Sequence, residues 1–473
     1  MKLPVIIQGG MGAAISNWGL AKTVAKLGQL GVVSGTALDA ILARRLQDGD
    51  PGGHIRRALQ HFPWPKMAQR ILDAHFVPGG RKAGGRYRKT LMHVVEGERL
   101  TQELCIAGNF VEIFLAREGH QGPVGINYLE KIQLPHLPSL YGAMLAGVTV
   151  VIVGAGIPLE FPAAIEALAQ HQPATYTVQI AGGHGEAATC RLTFNPAQFL
   201  EEHALPPLAR PHFLPIVSSN ALAAILHNRA KGPLDGFIIE GPLAGGHNAL
   251  PRGALKLTGD GQPIYGQRDV VDLEALRALG KPFWLAGSYG SPERVREALA
   301  AGASGVQVGT PFALCVESGM TADFRHALIK KALAGDAKVF TDPLASPTGF
   351  PFKVAALEGT LSEQDIYDSR RRICDIGFLR TPYRKPDGSV GYRCAAEPEA
   401  AFIMKGGKPA DVAGRKCLCN ALIANVGMPQ KFADGTSELP LITLGDDYMN
   451  IGRFCDAEHP DFTAADVVRI LLG

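Results

Sequence analysis

The chain has 473 residues, which exceeds the usual size of a single hydrophobic core, so we expect a barrel with large insertions or two to three domains. A content of 46% hydrophobic and 19% charged residues excludes a disordered chain. The net charge of +3 is too small to indicate a nucleic-acid-binding or membrane-binding protein.

The N-terminal segment predicts a strand rather than an export signal. It carries one lysine and a short apolar run, and the sequence shows no stretch long enough to span a bilayer. Residues 4–7 form the strand, a helix runs from the cap at Ser16 and Asn17 to Leu27, and residues 30–33 form a second strand. Without an export signal, the eight cysteines indicate a reducing cytoplasm rather than a disulfide framework.

Residues 36–121 interrupt this alternation of strands and helices. The segment is helix-rich and has no buried-strand run. We interpret it as an inserted helical subdomain over the mouth of a barrel, with a basic middle part that forms a solvated surface.

Four further buried strands follow the insertion at residues 122–127, 148–153, 214–217 and 236–240. Residues 175–180 and 188–194 alternate apolar and polar side chains around a glycine-rich tip, which predicts an inserted hairpin. Together with the strands 4–7 and 30–33 and with two strands near the end of the barrel segment, which are described below, they give eight barrel strands. The sequence therefore predicts an α/β fold, a (β/α)8 TIM barrel with an inserted helical subdomain and a C-terminal extension.

The last two barrel strands, 282–286 and 305–309, flank a helix that Ser291 caps. Both strands end in small residues, Gly287-Ser288 and Gly309-Thr310, which must lie side by side at one rim of the sheet. Glycine-rich turns after the last two strands of a barrel are the usual phosphate site of this fold. We therefore predict that an anionic group, a phosphate, binds there rather than that the glycines merely permit tight turns.

The pattern changes from about residue 320. Residues 321–334, 362–369 and 464–472 are predicted helices, and a proline-rich loop separates the first two. We assign 1–35 and 122–320 to the barrel, 36–121 to the helical insertion and 321–473 to an extension packed on the barrel.

His247 is the strongest candidate for chemistry. It follows two glycines just after a strand that must end at the catalytic face, and an imidazole there can take or give a proton. The alternative is a loop histidine with a structural hydrogen bond. Glu240, at the end of the same strand, could orient the loop, bind a ligand or serve as a buried structural carboxylate.

Other motifs are either excluded or give weaker evidence for a functional site than His247 does. His184-Gly185-Glu186 lacks the Pro-Cys-x-x-Cys of zinc deaminases, and neither a P-loop nor a Rossmann fingerprint is present. Four cysteines lie within 46 residues of the extension, at Cys374, Cys394, Cys417 and Cys419. They could hold zinc or an iron–sulfur cluster, but free buried cysteines are common in cytoplasmic proteins, and we predict no metal.

Five stretches in order resemble one known family: QGGMG at 8–12, GINY at 125–128, GPLAGGHN at 241–248, AGSYGS at 286–291 and GVQVGTPF at 305–312. Together they resemble the nitronate monooxygenases, once called 2-nitropropane dioxygenases, over residues 1–320. That resemblance implies a TIM barrel that binds FMN. It implies that the FMN phosphate is bound by Gly287, Ser288, Gly290, Gly309 and Thr310. It also implies flavin contacts from Gly10, Met11, Asn127, Gly245 and Gly246, with His247 as the active-site histidine.

The resemblance implies oxidation of alkyl nitronates with O2 to a carbonyl compound and nitrite. The competing hypothesis is an FMN-dependent enoyl-thioester reductase that uses NAD(P)H, and a third is a scaffold whose tail binds metal or a partner. In the enzyme hypotheses the partners are a small-molecule substrate and O2 or NAD(P)H, without nucleic acid or membrane. Homo-oligomer formation is left open.

Overall fold

The computed structural model describes residues 4–201 and 205–473. Fifteen strands occur in these ranges and are numbered in chain order. They are Ile6–Gln8 (β1), Gly31–Ser34 (β2), Val124–Leu129 (β3), Val150–Gly154 (β4), Ala174–Gln179 (β5), Thr189–Phe194 (β6), His212–Val217 (β7), Phe237–Glu240 (β8), Gly246–His247 (β9), Phe283–Ala286 (β10), Gly305–Val308 (β11), Val339–Asp342 (β12), Phe352–Ala355 (β13), Thr381–Arg384 (β14) and Val390–Arg393 (β15).

Sixteen α-helices lie in the described ranges, with short 3-10 helices between some of them. They are Trp18–Lys26 (α1), Leu38–Gln47 (α2), His54–Leu59 (α3), Pro65–His75 (α4), Arg99–Arg117 (α5), His136–Leu145 (α6), Phe161–Ala169 (α7), Asn220–Arg229 (α8), Leu273–Arg277 (α9), Pro292–Ala300 (α10), Thr310–Leu314 (α11), Ala322–Leu333 (α12), Gln364–Ser369 (α13), Glu399–Met404 (α14), Leu418–Ala424 (α15) and Ala464–Leu472 (α16). Across these ranges, every helix is too short or too polar to cross a lipid bilayer.

Eight parallel strands form the barrel, in the order β1-β11-β10-β8-β7-β4-β3-β2. The ends of this sheet meet, because the Gln8 amide donates to the Leu30 carbonyl over 2.9 Å and the Leu30 amide donates to the Ile6 carbonyl over 3.1 Å. Each predicted barrel strand is present to within a few residues. The predicted (β/α)8 barrel is confirmed.

Side chains along the barrel strands alternate between two cores. In β4, Val150 and Ile152 join the interior cluster, while Val151 and Val153 join the larger core that packs against the helices. Trp284 belongs to the interior cluster, and its indole N–H donates to the Pro4 carbonyl over 3.0 Å. The interior is therefore filled by side chains, and a ligand has room only at the rim.

Two strand predictions have different outcomes. The inserted hairpin is confirmed, because β5 and β6 pair antiparallel over their whole length. The prediction that the segment between the helices α12 and α13 is a loop is wrong in part, because the strands β12 and β13 lie in this segment and pair antiparallel. Prolines at 343 and 351 lie just outside these strands, where they remove no ladder hydrogen bond.

Helices from outside the predicted barrel segments complete its outer ring. Helix α5 lies in the segment 36–121 and packs against α1, α6 and β3, at the flank of the barrel rather than over its mouth. Helix α16 packs against α1, α10 and α11, between the first and last barrel strands. A capping box between Thr463 and Asp466 fixes its start. The last helix of the chain thus takes the place of the eighth barrel helix.

Candidate functional site

A cavity opens at the carboxyl ends of the barrel strands. Its floor is made by the loops that follow the strands β1, β3, β8, β10 and β11. The C-terminal extension forms its roof and contributes mostly apolar side chains, among them Phe352, Leu418, Leu422, Ile442 and Leu444. An apolar roof over polar loop ends makes a site that can hold a flat ligand away from bulk water.

Most residues that the sequence predicted for the site line this one cavity. They are Gly10, Met11, Asn127, Gly245, Gly246, His247, Gly287, Ser288, Gly309 and Thr310. These residues come from five separate segments, which the barrel brings to the same rim. Of the four cysteines in the extension, Cys419 also lines the cavity.

The turns after β10 and β11 leave polar groups free at the rim. Gly287 has φ +98°, and a Cβ there would lie 3.1 Å from the Gly241 carbonyl oxygen, so a side chain would be strained and crowded. Ser288 has φ +59°, and its buried hydroxyl has no hydrogen-bond partner among the residues described. The Thr310 hydroxyl accepts from the Gly445 amide over 2.8 Å, which leaves its own hydrogen available.

Gly290 is placed differently from the other predicted phosphate residues. It does not line the cavity, and its amide donates to Asp447 Oδ2 over 3.0 Å. The chain has already turned at Ser291 to start α10, whose cap hydroxyl accepts from the Arg294 amide. The Asp447 carboxylate therefore accepts the hydrogen bond of the Gly290 amide, which the family resemblance assigned to a phosphate.

The turn after β1 packs against the end of β3. A Cβ on Gly10 would lie 2.4 Å from the Asn127 Cβ, so glycine is required for this approach. The Asn127 amide group donates to the Gly10 carbonyl over 3.2 Å. Within the described ranges, Asn127 Oδ1 and Gln307 Oε1 are buried and have no partner. Buried acceptors of this kind are normally paired in a native state, so both oxygens are available to a donor that binds at this side of the cavity.

His247 is held by the extension. Its Nε2 lies 2.7 Å from Ser346 Oγ, and its ring packs edge-on against Phe352 with the centroids 4.9 Å apart. The backbone of β9 pairs antiparallel with β13, and the Gly246 amide donates to Thr443 Oγ1 over 2.7 Å. Burial lowers the pKa of His247 to about 4, so the imidazole is neutral at physiological pH.

Glu240 is a second ionisable group that lines the cavity. Its carboxyl makes no hydrogen bond or ion pair with the part of the chain that the structure describes, and burial raises its pKa to about 8. A carboxyl group that keeps its proton near pH 7 can donate a hydrogen bond or a proton to a ligand.

Glu240 should make the stability of the protein depend on pH. Because its pKa is higher in the folded state than in the unfolded chain, rising pH removes a proton more easily from the unfolded chain, and stability falls between about pH 4.5 and pH 8. In Glu240→Gln this loss is absent, so the variant is expected to be more stable than the parent at pH 9 and little changed at pH 5. Urea unfolding at both pH values measures the difference.

The matched control is Glu274→Gln, because the Glu274 side chain is 88% exposed on the short helix α9. It should shift the urea midpoint by the same small amount at both pH values. If Glu240→Gln behaves in the same way, Glu240 does not carry its proton in the folded state.

Several residues of the site were not predicted from the sequence, among them Gln307, Ser346, Thr443 and Asp447. Gln307 could have been found from the sequence, because it is a polar residue inside the apolar run of strand β11. Ser346 and Asp447 lie 99 and 157 residues from the groups that they contact, and nothing in the local pattern marks them.

Comparison with known proteins gives one family match. Residues 202–345 match the family model "NMO: Nitronate monooxygenase". A nitronate monooxygenase of Pseudomonas aeruginosa is 33% identical over 156 residues, which is 31% of this chain and 42% of that protein. The chain thus aligns with less than half the length of this curated relative.

Similar solved structures include FabK from Thermotoga maritima, with 16% identity, a TM-score of 0.47, and coverage of 100% of this chain and 92% of the other. Nitroalkane oxidase from Streptomyces ansochromogenes has 16% identity, a TM-score of 0.48, and coverage of 99% and 95%.

Proposed function

We propose that this chain, whose resemblance to the nitronate monooxygenase family is confirmed over residues 202–345, is an FMN-dependent oxidoreductase that oxidises alkyl nitronates with O2. The observation that carries the proposal is the convergence of ten predicted residues on one cavity at the catalytic face of the barrel.

The residues present fit an FMN group. The unpaired hydroxyl of Ser288 and the free hydrogen of Thr310 lie at the two turns where a phosphate is expected. The unpaired oxygens of Asn127 and Gln307 can accept hydrogen bonds from a polar ring edge or from ribityl hydroxyls. Because a Cβ at Gly10 would collide with Asn127, this position of the cavity wall carries no side chain that could obstruct a planar ring.

FMN, when bound, would supply the electron chemistry, and the chain supplies binding, orientation and a proton site. The turns at Gly287 and Gly309 would hold the phosphate end through hydroxyl and backbone groups. Asp447 lies beside these turns, where it accepts from the Gly290 amide, and burial raises the pKa of its carboxyl. The apolar roof would exclude bulk water from the ring end.

His247 is the proton site in this proposal. A neutral imidazole can remove the α-proton of a nitroalkane or hydrogen-bond to a nitro oxygen. Ser346 Oγ fixes the ring at Nε2, and Phe352 limits its rotation. The ring is therefore oriented before a substrate binds.

One observation favours a second candidate, an FMN-dependent enoyl-thioester reductase. Such a reaction needs a proton donor as well as hydride from NAD(P)H. The raised pKa of Glu240 keeps a carboxyl proton in the cavity at neutral pH. In the nitronate reaction this proton has no required role.

The visible spectrum of the purified protein, followed by two anaerobic additions, tests both candidates. We expect a flavin spectrum that alkyl nitronate reduces and that NADPH leaves unchanged, with nitrite formed once O2 is admitted. Rapid reduction by NADPH with no effect of nitronate would replace the first candidate by the second. A colourless protein that takes up no FMN would end both.

A further inference from the structure

Three side chains of different chemistry meet in the segment 36–121. Asp39 lies in the first turn of helix α2, Cys105 lies in helix α5, and His93 lies between the helices α4 and α5. All three are buried, with exposed fractions of 3%, 1% and 8% in that order. Their carboxylate oxygen, sulfur and imidazole nitrogen lie within 4.8 Å of one another. In residues 4–201 and 205–473, this is the one such group of three potential metal ligands.

Neighbouring groups fix the orientation of these side chains. The Nε2 atom of His93 lies 2.8 Å from Asp39 Oδ2, and the other carboxylate oxygen accepts from the Ala40 amide over 2.8 Å. The Cys105 sulfur lies 3.2 Å from the Ser139 hydroxyl, which can donate to a thiolate. Side chains that bind a metal are normally oriented by surrounding hydrogen bonds of this kind.

The charges of the group favour a bound cation. A buried carboxylate is costly without a positive partner. In the part of the chain that the structure describes, the ion-pair partner of Asp39 is His93, which carries a charge only when it is protonated. A divalent ion bound to the Asp39 carboxylate and the Cys105 thiolate would leave no net charge, with His93 bound in its neutral form.

The segment that carries His93 gives a second observation. Residues 76–98 connect α4 with α5 and contain no helix or strand. Connections of this length without secondary structure are uncommon in compact domains and often have a function. Here the imidazole of His93 is buried, and its backbone carbonyl accepts from Arg380 over 2.8 Å. A metal bond to His93 would attach this long connection to the two helices that carry Asp39 and Cys105.

A small cavity lies beside the group. Asp39, Cys105, Ser139 and Thr36 are among the residues that line it, and it has room for about one water molecule. Three side-chain ligands beside space for a water are typical of a zinc site with an open fourth position.

We propose that Asp39, His93 and Cys105 bind one zinc ion. A carboxylate, an imidazole and a thiolate are all zinc ligands, whereas magnesium and calcium take oxygen ligands and are disfavoured by the thiolate. In a tetrahedral zinc site these three ligand atoms are about 3.3–3.6 Å apart, because the bonds are about 2.0 Å to nitrogen or oxygen and about 2.3 Å to sulfur. Small side-chain rotations from the present separations would reach this geometry.

The zinc ion would stabilise one edge of the large cavity. Ala37 lies two residues before Asp39 and lines both the small cavity and the large one at the barrel rim. Zinc bound to Asp39 would therefore fix the turn that follows strand β2. The proposal does not depend on the proposed flavin activity.

Metal analysis of the full chain, purified without chelator, tests the proposal. By inductively coupled plasma mass spectrometry we expect one zinc ion per chain. Separate His93→Ala and Cys105→Ala variants should each lose most of the zinc. The matched control is Cys315→Ala, because Cys315 is as deeply buried as Cys105 and lies outside the group. This control should keep its zinc even if it loses stability.

Cobalt(II) in place of zinc gives a second measurement. The parent protein loaded with cobalt should show an intense thiolate-to-cobalt absorption band in the near ultraviolet, which reports the Cys105 ligand directly. The Cys105→Ala variant should lack this band. Because the spectrum of the parent protein already shows whether a thiolate binds the metal, poor folding of a variant does not decide the test.

Three results would overturn the proposal. In the first, the parent protein contains no zinc and takes up none on titration, so that Asp39 and His93 form only a hydrogen-bonded pair beside a thiol. In the second, zinc stays in both variants. In the third, the parent protein contains iron instead of zinc, and both variants lose it. Flavin content is measured on the same samples, so a zinc-free protein that contains FMN separates this failure from a failure of the proposed function.

Discussion

His247→Ala is expected to lower nitronate turnover by about 10²–10⁴-fold, the usual contribution of a positioned acid or base, while FMN stays bound. The flavin should remain because the His247 loop is held through its backbone, by the pairing of β9 with β13 and by the bond from the Gly246 amide to Thr443. The measurement is steady-state turnover with alkyl nitronate and with the neutral nitroalkane, together with the flavin content.

The two substrates separate two roles of the ring. If His247 removes the α-proton, the neutral nitroalkane should lose far more rate than the nitronate, which has already lost that proton. Because burial lowers the pKa of His247 to about 4, the rate that depends on its neutral form should stay level from pH 8 down to about pH 5 and fall only below it.

The control for His247→Ala is His326→Ala, which removes a partly exposed imidazole that is paired with Asp461 and does not line the cavity. It should leave turnover unchanged. Full turnover in His247→Ala itself would remove this residue from the mechanism, whatever the flavin content.

Gly287→Val is expected to abolish FMN binding. A β-branched side chain at φ +98° is strained, and its Cβ would lie 3.1 Å from the Gly241 oxygen and 3.4 Å from the Ala244 nitrogen. The turn must move, and the phosphate donors move with it. Flavin content after purification and titration of the apoprotein with FMN measure the loss.

The matched control is Gly280→Val, at the opposite end of the same barrel strand. Gly280 has φ +66°, and a Cβ there would meet no atom within 4 Å in the described structure. This variant should lose some stability from backbone strain but bind FMN normally. If both variants bind FMN equally well, the turn at Gly287 does not hold the phosphate.

Ser288→Ala gives a milder test of the same turn, because it removes a buried hydroxyl that has no partner in the described structure. The apoprotein should not be destabilised. Affinity for FMN should fall by about 1.5–3 kcal/mol, the usual strength of a hydrogen bond to a charged group.

The barrel itself could be predicted from the sequence because its signals are local. Each strand is a short apolar run that ends in glycine or a polar residue, and each turn carries its own composition, as at Gly287 and Gly309. Parallel connections then place all the strand ends at one rim. For this reason the position of His247 at the rim could be predicted from the sequence pattern, whereas a role for Asn127 was implied by the family resemblance.

The roof could not be predicted in the same way. Nothing in residues 321–473 shows which part crosses the barrel mouth, because that is decided by packing between segments far apart in the chain. Ser346 reaches His247, Thr443 reaches Gly246 and Asp447 reaches Gly290 only in the folded molecule. The same holds for the helices α5 and α16, whose amphipathic patterns predict burial but not a partner.

The sequence by itself therefore determined the eight strands, their order and the residues at their carboxyl ends, since these depend on short-range pattern and on the fixed handedness of parallel connections. Only the tertiary structure decided what covers the site and that Asp447 accepts the hydrogen bond of the Gly290 amide. Those features arise from contacts between residues that lie 99 or more positions apart, and the free energy that selects them comes from burying surface that no local pattern identifies.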